Sequence, residues 1–379
     1  MKGTQSLAAG SWAVAITVAM ISLVPAASAA VPGPSPRVVA TDLGTLGGGS
    51  YCVALNNAGQ AIGTSMFGAQ AFRWSNGVMI DLGTLGGLGS APAAINNRGD
   101  VVGRSGTESG ENHAFLWRNG VMFDLGTLGG GWSEASDINE AGQVVGYSPT
   151  ENGEIHAFVW SGDGMIDLGT LGGASSFAIA INEAGEVVGN SNTESGGELH
   201  AFYWFQGATV DVGTLGGDQS IATAINNVGQ VAGYSKTESG DYHAFIWFKD
   251  GIRDLGTLGG SYSQATAINN AGQVTGLSDD ASGDVHLFLW SAGRMSDLAT
   301  IGTTSDSGLD INARGQVSSD STTSAGTNHA VLWDGRVLVD LGTLGGDVSF
   351  AEDLNDRGQV CGGSQIPSGE DRAVLWTVT

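Results

Sequence analysis

Six histidines are the side chains that would most readily support chemistry, and they recur along the chain at a nearly constant spacing. Imidazoles bind metals or act as general bases, but a metal site needs several ligands to converge. Each His occupies the same position in a different copy of a repeated segment, so we expect the six to lie apart, each bonded to a local partner. The sequence therefore predicts no metal site and no cofactor. The histidines are His113, His156, His200, His243, His286 and His329.

Carboxylates are far more numerous, since 38 Asp and Glu face 14 Lys and Arg in 379 residues and the formal net charge is −24. Two of them could form a hydrolytic pair, although sequence does not give their separation. No GxSxG, HExxH or nucleotide fingerprint is present. The charge excludes nucleic acid and anionic lipid as partners, because both are bound through Lys and Arg. It suits cationic partners, and it also keeps a Gly-rich protein in solution.

The N-terminal segment has the pattern of a secretory signal peptide. Lys2 precedes an apolar run over 12–24, and small residues follow up to a cleavage position near Ala29. The run is shorter than the roughly 20 residues that span a bilayer, which disfavours the alternative of an uncleaved anchor. We predict a signal peptide over 1–29 and a Pro-rich linker over 30–37. Cleavage removes one Lys and no acid, so a secreted, extracellular protein of net charge −25 results, with no membrane insertion. We expect a monomer.

A repeated unit of about 43 residues positions all of these side chains. Its first marker is the Asp of the heptapeptide "DLGTLGG" or a variant of it. Trp and Asn residues keep the same period as second and third markers, from Trp74 to Trp376 and from Asn56 to Asn355. Eight units therefore fill residues 38–379 as a single domain. The marker Asp residues are Asp42, Asp81, Asp124, Asp167, Asp211, Asp254, Asp297 and Asp340.

One unit, residues 130–173, contains four short strand patterns separated by turn residues, which indicates an antiparallel meander. Its third strand, "HAFVW", is apolar on both faces, so each meander must be covered on both sides. A ring of radially arranged sheets does this. The sequence thus predicts an all-β fold, an eight-bladed β-propeller of four-stranded antiparallel blades. A linear solenoid is the alternative.

The two ends of the repeated region complement each other. "RVVATDLG" reads as a fourth strand without the first three, and "AVLWTVT" reads as a third strand without a fourth. The N-terminal strand is therefore predicted to complete the last blade and to remove a free sheet edge. Cys52 and Cys361 would then lie in neighbouring blades. In an oxidising compartment we expect them to form a disulfide, the alternative being two buried thiols.

Repeats of the form "DLGTLGG…INxxGxVxGxS…HAFxW" resemble those of the HAF family of bacterial extracellular repeat proteins. The "HAF" triplet begins at His113, His156, His200 and His243, and it is altered at Gln70, His286, His329 and Arg372. The resemblance covers nearly all of the chain after the signal peptide. It implies secretion and a repeat fold, and it supplies no catalytic residues.

A functional site should break the repeat, and the connections between blades carry its most variable residues. Trp132 stands in a connection where other units have mostly small or polar residues, with Tyr262 at the equivalent place three units later. An exposed aromatic is costly unless it meets a partner. The surrounding residues that could supply hydrogen bonds to a ligand are Glu134, Asp218, Gln219 and Asp347.

These features predict a non-enzymatic binding module for an extracellular ligand, such as a glycan or an envelope protein, on an acidic loop face near a central channel. One alternative is a polysaccharide lyase or glycoside hydrolase with carboxylates at the channel mouth. Another is a purely structural envelope protein. For Trp132 itself, the alternative to a ligand contact is packing over the neighbouring loop.

Overall fold

Strands and tight turns account for the residues that the computed structural model describes, which are 36–65, 70–194, 197–298 and 308–379. These ranges contain thirty-two strands and no helix, hence no helix that could cross a membrane. The predicted signal peptide and residues 30–35 of the predicted linker lie outside them. The strands are β1 Val38–Gly44, β2 Ser50–Leu55, β3 Ala61–Ser65, β4 Gln70–Ser75, β5 Val78–Asp81, β6 Gly86–Ile95, β7 Val101–Thr107, β8 Asn112–Arg118, β9 Val121–Asp124, β10 Glu134–Ile138, β11 Val144–Pro149, β12 Ile155–Trp160, β13 Met165–Asp167, β14 Gly172–Ile181, β15 Val187–Thr193, β16 Leu199–Phe205, β17 Ala208–Asp211, β18 Gly216–Ile225, β19 Val231–Thr237, β20 Tyr242–Phe248, β21 Gly251–Asp254, β22 Gly259–Ile268, β23 Val274–Asp280, β24 Val285–Ser291, β25 Arg294–Asp297, β26 Asp310–Ile311, β27 Val317–Thr322, β28 Asn328–Trp333, β29 Leu338–Asp340, β30 Ser349–Leu354, β31 Gln359–Gln365 and β32 Asp371–Val378.

Each repeat folds into the four-stranded antiparallel meander that its sequence predicts. Six sheets have four strands each, and in five of them the strands follow chain order, as in β2-β3-β4-β5. The sixth has the order β1-β32-β31-β30. The seventh sheet holds two meanders, β10–β13 and β14–β17, which are joined through one parallel residue pair, Ile155 with Ser175.

Glycine is required where the first two strands of a meander approach each other. In β11, a Cβ on Gly146 would lie 2.0 Å from the carbonyl oxygen of Glu134, closer than any side chain tolerates. The opposing strand bulges between Ala135 and Asp137 at this point. The "VxGxS" pattern therefore lets the second strand pass the bulge of the first.

Apolar clusters lie between successive sheets and cover both faces of each third strand. Ala157 and Val159 of β12 pack against Phe202 and Trp204 of β16 in the next meander. On the opposite face of β12, Phe158 packs in the cluster that the preceding sheet supplies. The two apolar faces of "HAFVW" are thus both buried, as the sequence predicts.

Asparagine side chains link the sheets in series. In each "NxxG" turn, the Asn Nδ2 donates to the backbone oxygen of the equivalent Asn one unit later, over 2.9–3.2 Å. The last member, Asn355, donates to the first, Asn56, so the series returns to its starting point. We call these residues the asparagine cycle. Its members are Asn56, Asn96, Asn139, Asn182, Asn226, Asn269, Asn312 and Asn355.

The N-terminal strand belongs to the sheet of the last meander, and two further kinds of contact join that meander to the first. β1 pairs with β32, with Val38 opposite Val378, which confirms the predicted pairing of the N-terminal strand with the last third strand. Apolar residues of β32 pack against Phe72 of β4. A disulfide joins Cys52 of β2 to Cys361 of β31, and both cysteines are fully buried.

Candidate functional site

The heptapeptide connections and the loops between second and third strands lie side by side, and we call the surface that they form the loop face. Leu128, in the connection that enters the third meander, pairs with Thr150 at the start of that meander's 150–154 loop. The amide of Leu128 also donates to Ser148 Oγ at 3.0 Å. The repeated Leu and Ser thus fix each connection against the adjacent loop.

Each histidine lies beside the heptapeptide Asp of its own repeat, and five of the six are hydrogen-bonded to it. The Nδ1–carboxylate distances are 2.8–3.0 Å, as for His113 with Asp124. The same Asp accepts the amide of Gly126 at 2.8 Å, so the pair tightens the turn that starts the connection. Within the described ranges, no group of three or more His, Cys, Asp or Glu is arranged to hold a metal.

Trp132 lies half-buried on the loop face and packs on its own meander. Its ring meets Tyr147 edge to face, with centroids 5.8 Å apart and planes at 85°. Tyr147 in turn meets Phe177 of the next meander at 5.2 Å. Trp132 therefore ends an aromatic row that bridges two meanders, and its partner Tyr147 lies on a strand, whereas the alternative weighed from sequence was packing over the neighbouring loop.

Glu134 belongs to the same group of contacts. Its carboxylate lies 3.2 Å from Nη1 of Arg104, across the boundary with the preceding meander. Burial raises the pKa of the Tyr147 hydroxyl above its ordinary value, and the adjacent Glu134 carboxylate adds to the rise. Trp132 and Glu134 are thus brought together, with Tyr147 between them and Arg104 at one side.

Asp218 and Gln219 form a second, separate group two meanders further on. Lys236 Nζ lies 3.0 Å from Asp218 and lowers the pKa of that carboxyl. Gln219 accepts a hydrogen bond from the hydroxyl of Tyr242. Both side chains are therefore engaged within their own meander.

Tyr262 and Asp347 complete the set predicted from sequence. The Tyr262 hydroxyl donates to Gln264, and the Asp347 side chain is exposed. Contacts connect Trp132 with Glu134 through Tyr147, and Asp218 lies beside Gln219. Trp132 and Glu134 therefore form one group, and Asp218 and Gln219 form another.

Two cavities open elsewhere on the loop face. One, of about 380 Å³, lies between the first and last meanders and is lined by Gly48, Gly49, Ser50, Tyr51, Gly369, Glu370 and Asp371. The other, of about 480 Å³, lies in the second meander and is lined by Gly86, Gly87, Leu88, Gly106, Thr107, Glu108, Gly110 and Asn112. Tyr51 is 37% exposed and Leu88 is 99% exposed, so an open apolar side chain borders each cavity.

Three inner-strand carboxyls were missed by the sequence reasoning. The residue before the Ile or Leu of each first strand is Ala in five units and Asp in three, Asp137, Asp310 and Asp353. Asp137 accepts the amides of Ile138 at 2.7 Å and of Ile181, in the next meander, at 2.9 Å. The break from Ala to Asp was the signal that could have found them.

Burial shifts these carboxyls toward the neutral form. The Asp137 carboxyl is enclosed, although the residue as a whole is half-buried. Burial raises its pKa to about 6, and the hydrogen bonds from the two main-chain amides only partly oppose this rise. Burial and the neighbouring Asp310 carboxyl raise the pKa of Asp353 well above its ordinary value. Two adjacent buried carboxyls cannot both ionise readily, so the Asp310–Asp353 pair tends to retain a proton.

A further buried carboxyl, Asp320, lies between the last two meanders. It is 2% exposed and accepts the amide of Ala351 at 2.7 Å. Burial raises its pKa to about 7. Carboxyls therefore hold the last meander to its neighbours through main-chain amides.

Comparison with solved structures identifies the architecture. The chain is similar to the β-propeller domain of the Trilobed protease from Pyrococcus furiosus, with a TM-score of 0.51 and 14% identity over 78% of this chain and 98% of that one. The fold is a β-propeller. At this identity the similarity shows the fold alone.

Two further matches have lower TM-scores. The acylaminoacyl peptidase of Pyrococcus horikoshii gives a TM-score of 0.48 at 13% identity, over 77% of this chain and 52% of that chain. TolB from Acinetobacter baumannii gives 0.39 at 11% identity, over 62% and 63%. No family model and no curated protein matches this propeller.

Proposed function

We propose that this protein is an exported, closed eight-bladed β-propeller of the HAF-repeat type. The asparagine cycle supports eight blades, because its eight members lead from Asn56 through every repeat and back. Closure is supported by the pairing of β1 with β32 and by the apolar contacts between the first and last meanders. Export is supported by the signal-peptide pattern of residues 1–29 and is compatible with the disulfide.

We propose further that the propeller acts as a non-enzymatic binding module for an extracellular ligand, such as a glycan or an envelope protein, through its loop face. The observation that carries this function is the pair of loop-face cavities bordered by open apolar side chains, Tyr51 and Leu88. Concave sites with an apolar wall and a few polar groups are the usual form of a ligand site. The acidic residues Glu108 and Glu370 lie at their edges.

The test is a binding screen of the purified protein, residues 30–379, against glycan and envelope-protein arrays. We expect saturable binding without product release. The substitutions Leu88→Ala and Tyr51→Ala should weaken binding by about tenfold or more without changing the melting temperature. Val78→Ala is the matched control, because Val78 is 60% exposed on an outer strand away from the cavities. Binding that survives both cavity substitutions, or that Val78→Ala weakens equally, would contradict a loop-face site.

A hydrolase or lyase is the second candidate, and the Asp310–Asp353 pair favours it, because two carboxyls that share a proton can act as acid and base. Against this, Asp353 accepts the amides of Leu354 at 2.8 Å and of Leu55 at 2.7 Å, which is the arrangement of a structural carboxyl. Release of reducing sugar or unsaturated product, abolished by Asp353→Asn, would establish the enzyme and displace the binding module.

A further inference from the structure

The cavity between the first and last meanders arises from a break in the repeat. The heptapeptide Asp and the first inner-strand Ser are nine positions apart in the other intact connections, as in Asp211 and Ser220, but eight apart in Asp42 and Ser50. Gly48 and Gly49 occupy the shortened connection and line the cavity. A Cβ on Gly49 would meet only the Asp371 carbonyl, at 3.5 Å, so the space beside it is open.

The wall of this cavity combines an aromatic ring with negative charge. Tyr51 is 37% exposed, although it lies in an inner strand. Glu370 is neutralised by Arg372 at 2.6 Å. Asp371 is exposed and has no ion-pair partner among the described residues, so it leaves one negative charge at the edge.

Two polar side chains at this cavity are already engaged, and one is the Ser50 hydroxyl, which donates to Gly44 and accepts the amide of Ala373. The Arg372 guanidinium is held by Glu370 and lies 3.4 Å from the carbonyl of Gly48. The Asp371 carboxylate disfavours an anion, whereas a cation with an apolar body matches both the aromatic ring and the carboxylate. Aromatic faces attract such cations through the ring quadrupole, and the net charge of the protein raises their local concentration.

We propose that the cavity lined by Gly49, Tyr51 and Asp371 binds a small organic ammonium ion. The proposal rests on the loop-face function and deepens it by naming a ligand class for one of the two cavities. The ammonium group lies against the Tyr51 ring and the Asp371 carboxylate, and its apolar body fills the space left by the shortened connection.

Calorimetric titration of residues 30–379 with choline and with lysine amide tests the proposal and separates quaternary from primary ammonium ligands. The control ligand is 3,3-dimethyl-1-butanol, the uncharged carbon analogue of choline. We expect at least one of the two cations to bind at least tenfold more tightly than the alcohol, and binding to weaken in added salt. Equal affinity for the alcohol, or no saturation by either cation, overturns the proposal.

Variants locate the site. Tyr51→Phe should retain binding and Tyr51→Leu should lose it by tenfold or more, because only the former keeps an aromatic face. Gly49 is equivalent to Gln219, because each residue directly precedes the first inner-strand Ser. The substitution Gly49→Gln should therefore fill the cavity with a side chain that the repeat tolerates, and it should abolish binding. Val78→Ala, on an outer strand away from the cavity, should leave ammonium binding unchanged. If Gly49→Gln still binds the ammonium ion at an unchanged melting temperature, the proposed site is wrong. The loop-face function is tested separately, by the effect of Leu88→Ala on binding of the array ligand.

Discussion

The Oδ2 atom of Asp353 lies 2.7 Å from the backbone nitrogen of Leu55, although 298 residues separate the two in sequence. This bond joins the inner strand of the last meander to that of the first. The disulfide between Cys52 and Cys361 crosses the same boundary. Contacts of very long sequence separation form late and at a large entropic cost, so this boundary should control how cooperatively the protein unfolds.

Deletion of residues 30–44 should cause aggregation or the loss of cooperative melting. The deletion removes β1 and leaves an unpaired edge on β32, and exposed edges recruit other chains. Deletion of residues 30–35 keeps β1 and serves as the control. Scanning calorimetry with light scattering measures both effects. A closed ring is contradicted if the longer deletion melts like the shorter one.

Replacement of both cysteines by Ala should lower the free energy of unfolding by about 2–4 kcal/mol, because the disulfide constrains an unfolded loop of 309 residues. Urea unfolding of the double variant and of the oxidised parent measures the difference. Thiol titration of the denatured, unreduced parent should find no free thiol, and two thiols per chain would show that the bond is absent.

Ionisation of Asp320 should make the protein less stable at high pH. Its pKa is raised from 3.8 to about 7 in the folded state, so its stabilising contribution is complete below about pH 4 and is lost as the pH rises through 7. The Asp320→Asn variant should lose less stability than the parent between pH 4 and pH 8, by up to about 4 kcal/mol. Asp163→Asn, at an exposed turn, is the control. Parallel pH profiles for Asp320→Asn and the parent would disprove this role.

Trp132→Ala should cost a small amount of stability through the lost contact with Tyr147. Edge-to-face pairs contribute about 0.5–1.5 kcal/mol beyond their buried area. A double-mutant cycle with Tyr147→Leu measures this coupling. If Trp132 also anchors a ligand, the same variant should weaken binding by about 1–3 kcal/mol. A coupling near zero would show that the aromatic row carries no stability.

The meander could be predicted from sequence because every unit repeats the same strand and turn pattern. The alternation in "HAFVW" places Ala157 and Val159 on one face and Phe158 on the other, and the structure buries both faces. Departures confined to single units were harder to interpret. Asp353 occupies a position where most units have Ala, so a consensus of the repeats shows Ala there and does not reveal the carboxyl.

The contacts between meanders could not be predicted, because the angle and distance between sheets decide which side chains meet. Trp132 is unusual in the sequence, but its partner Tyr147 occupies the variable position between the repeated Gly146 and Ser148, and nothing in the pattern marks it. The shortened connection at Gly49 was visible in the sequence. The cavity beside it depends on where Tyr51 and Asp371 lie in space, which the spacing does not give.

The asparagine cycle also has an electrostatic consequence. Each side-chain amide directs an N–H toward the next meander, and in a series that returns to its start these N–H dipoles cancel around the circuit. A helix instead sums its dipoles along one direction. The eight amides therefore bind the meanders together without polarising the end of the propeller at which they lie. The electric potential at this end is therefore set by charged side chains. Among them are Glu140, Glu183 and Asp356, which line the same cavity as Asn56 and Asn355 of the asparagine cycle.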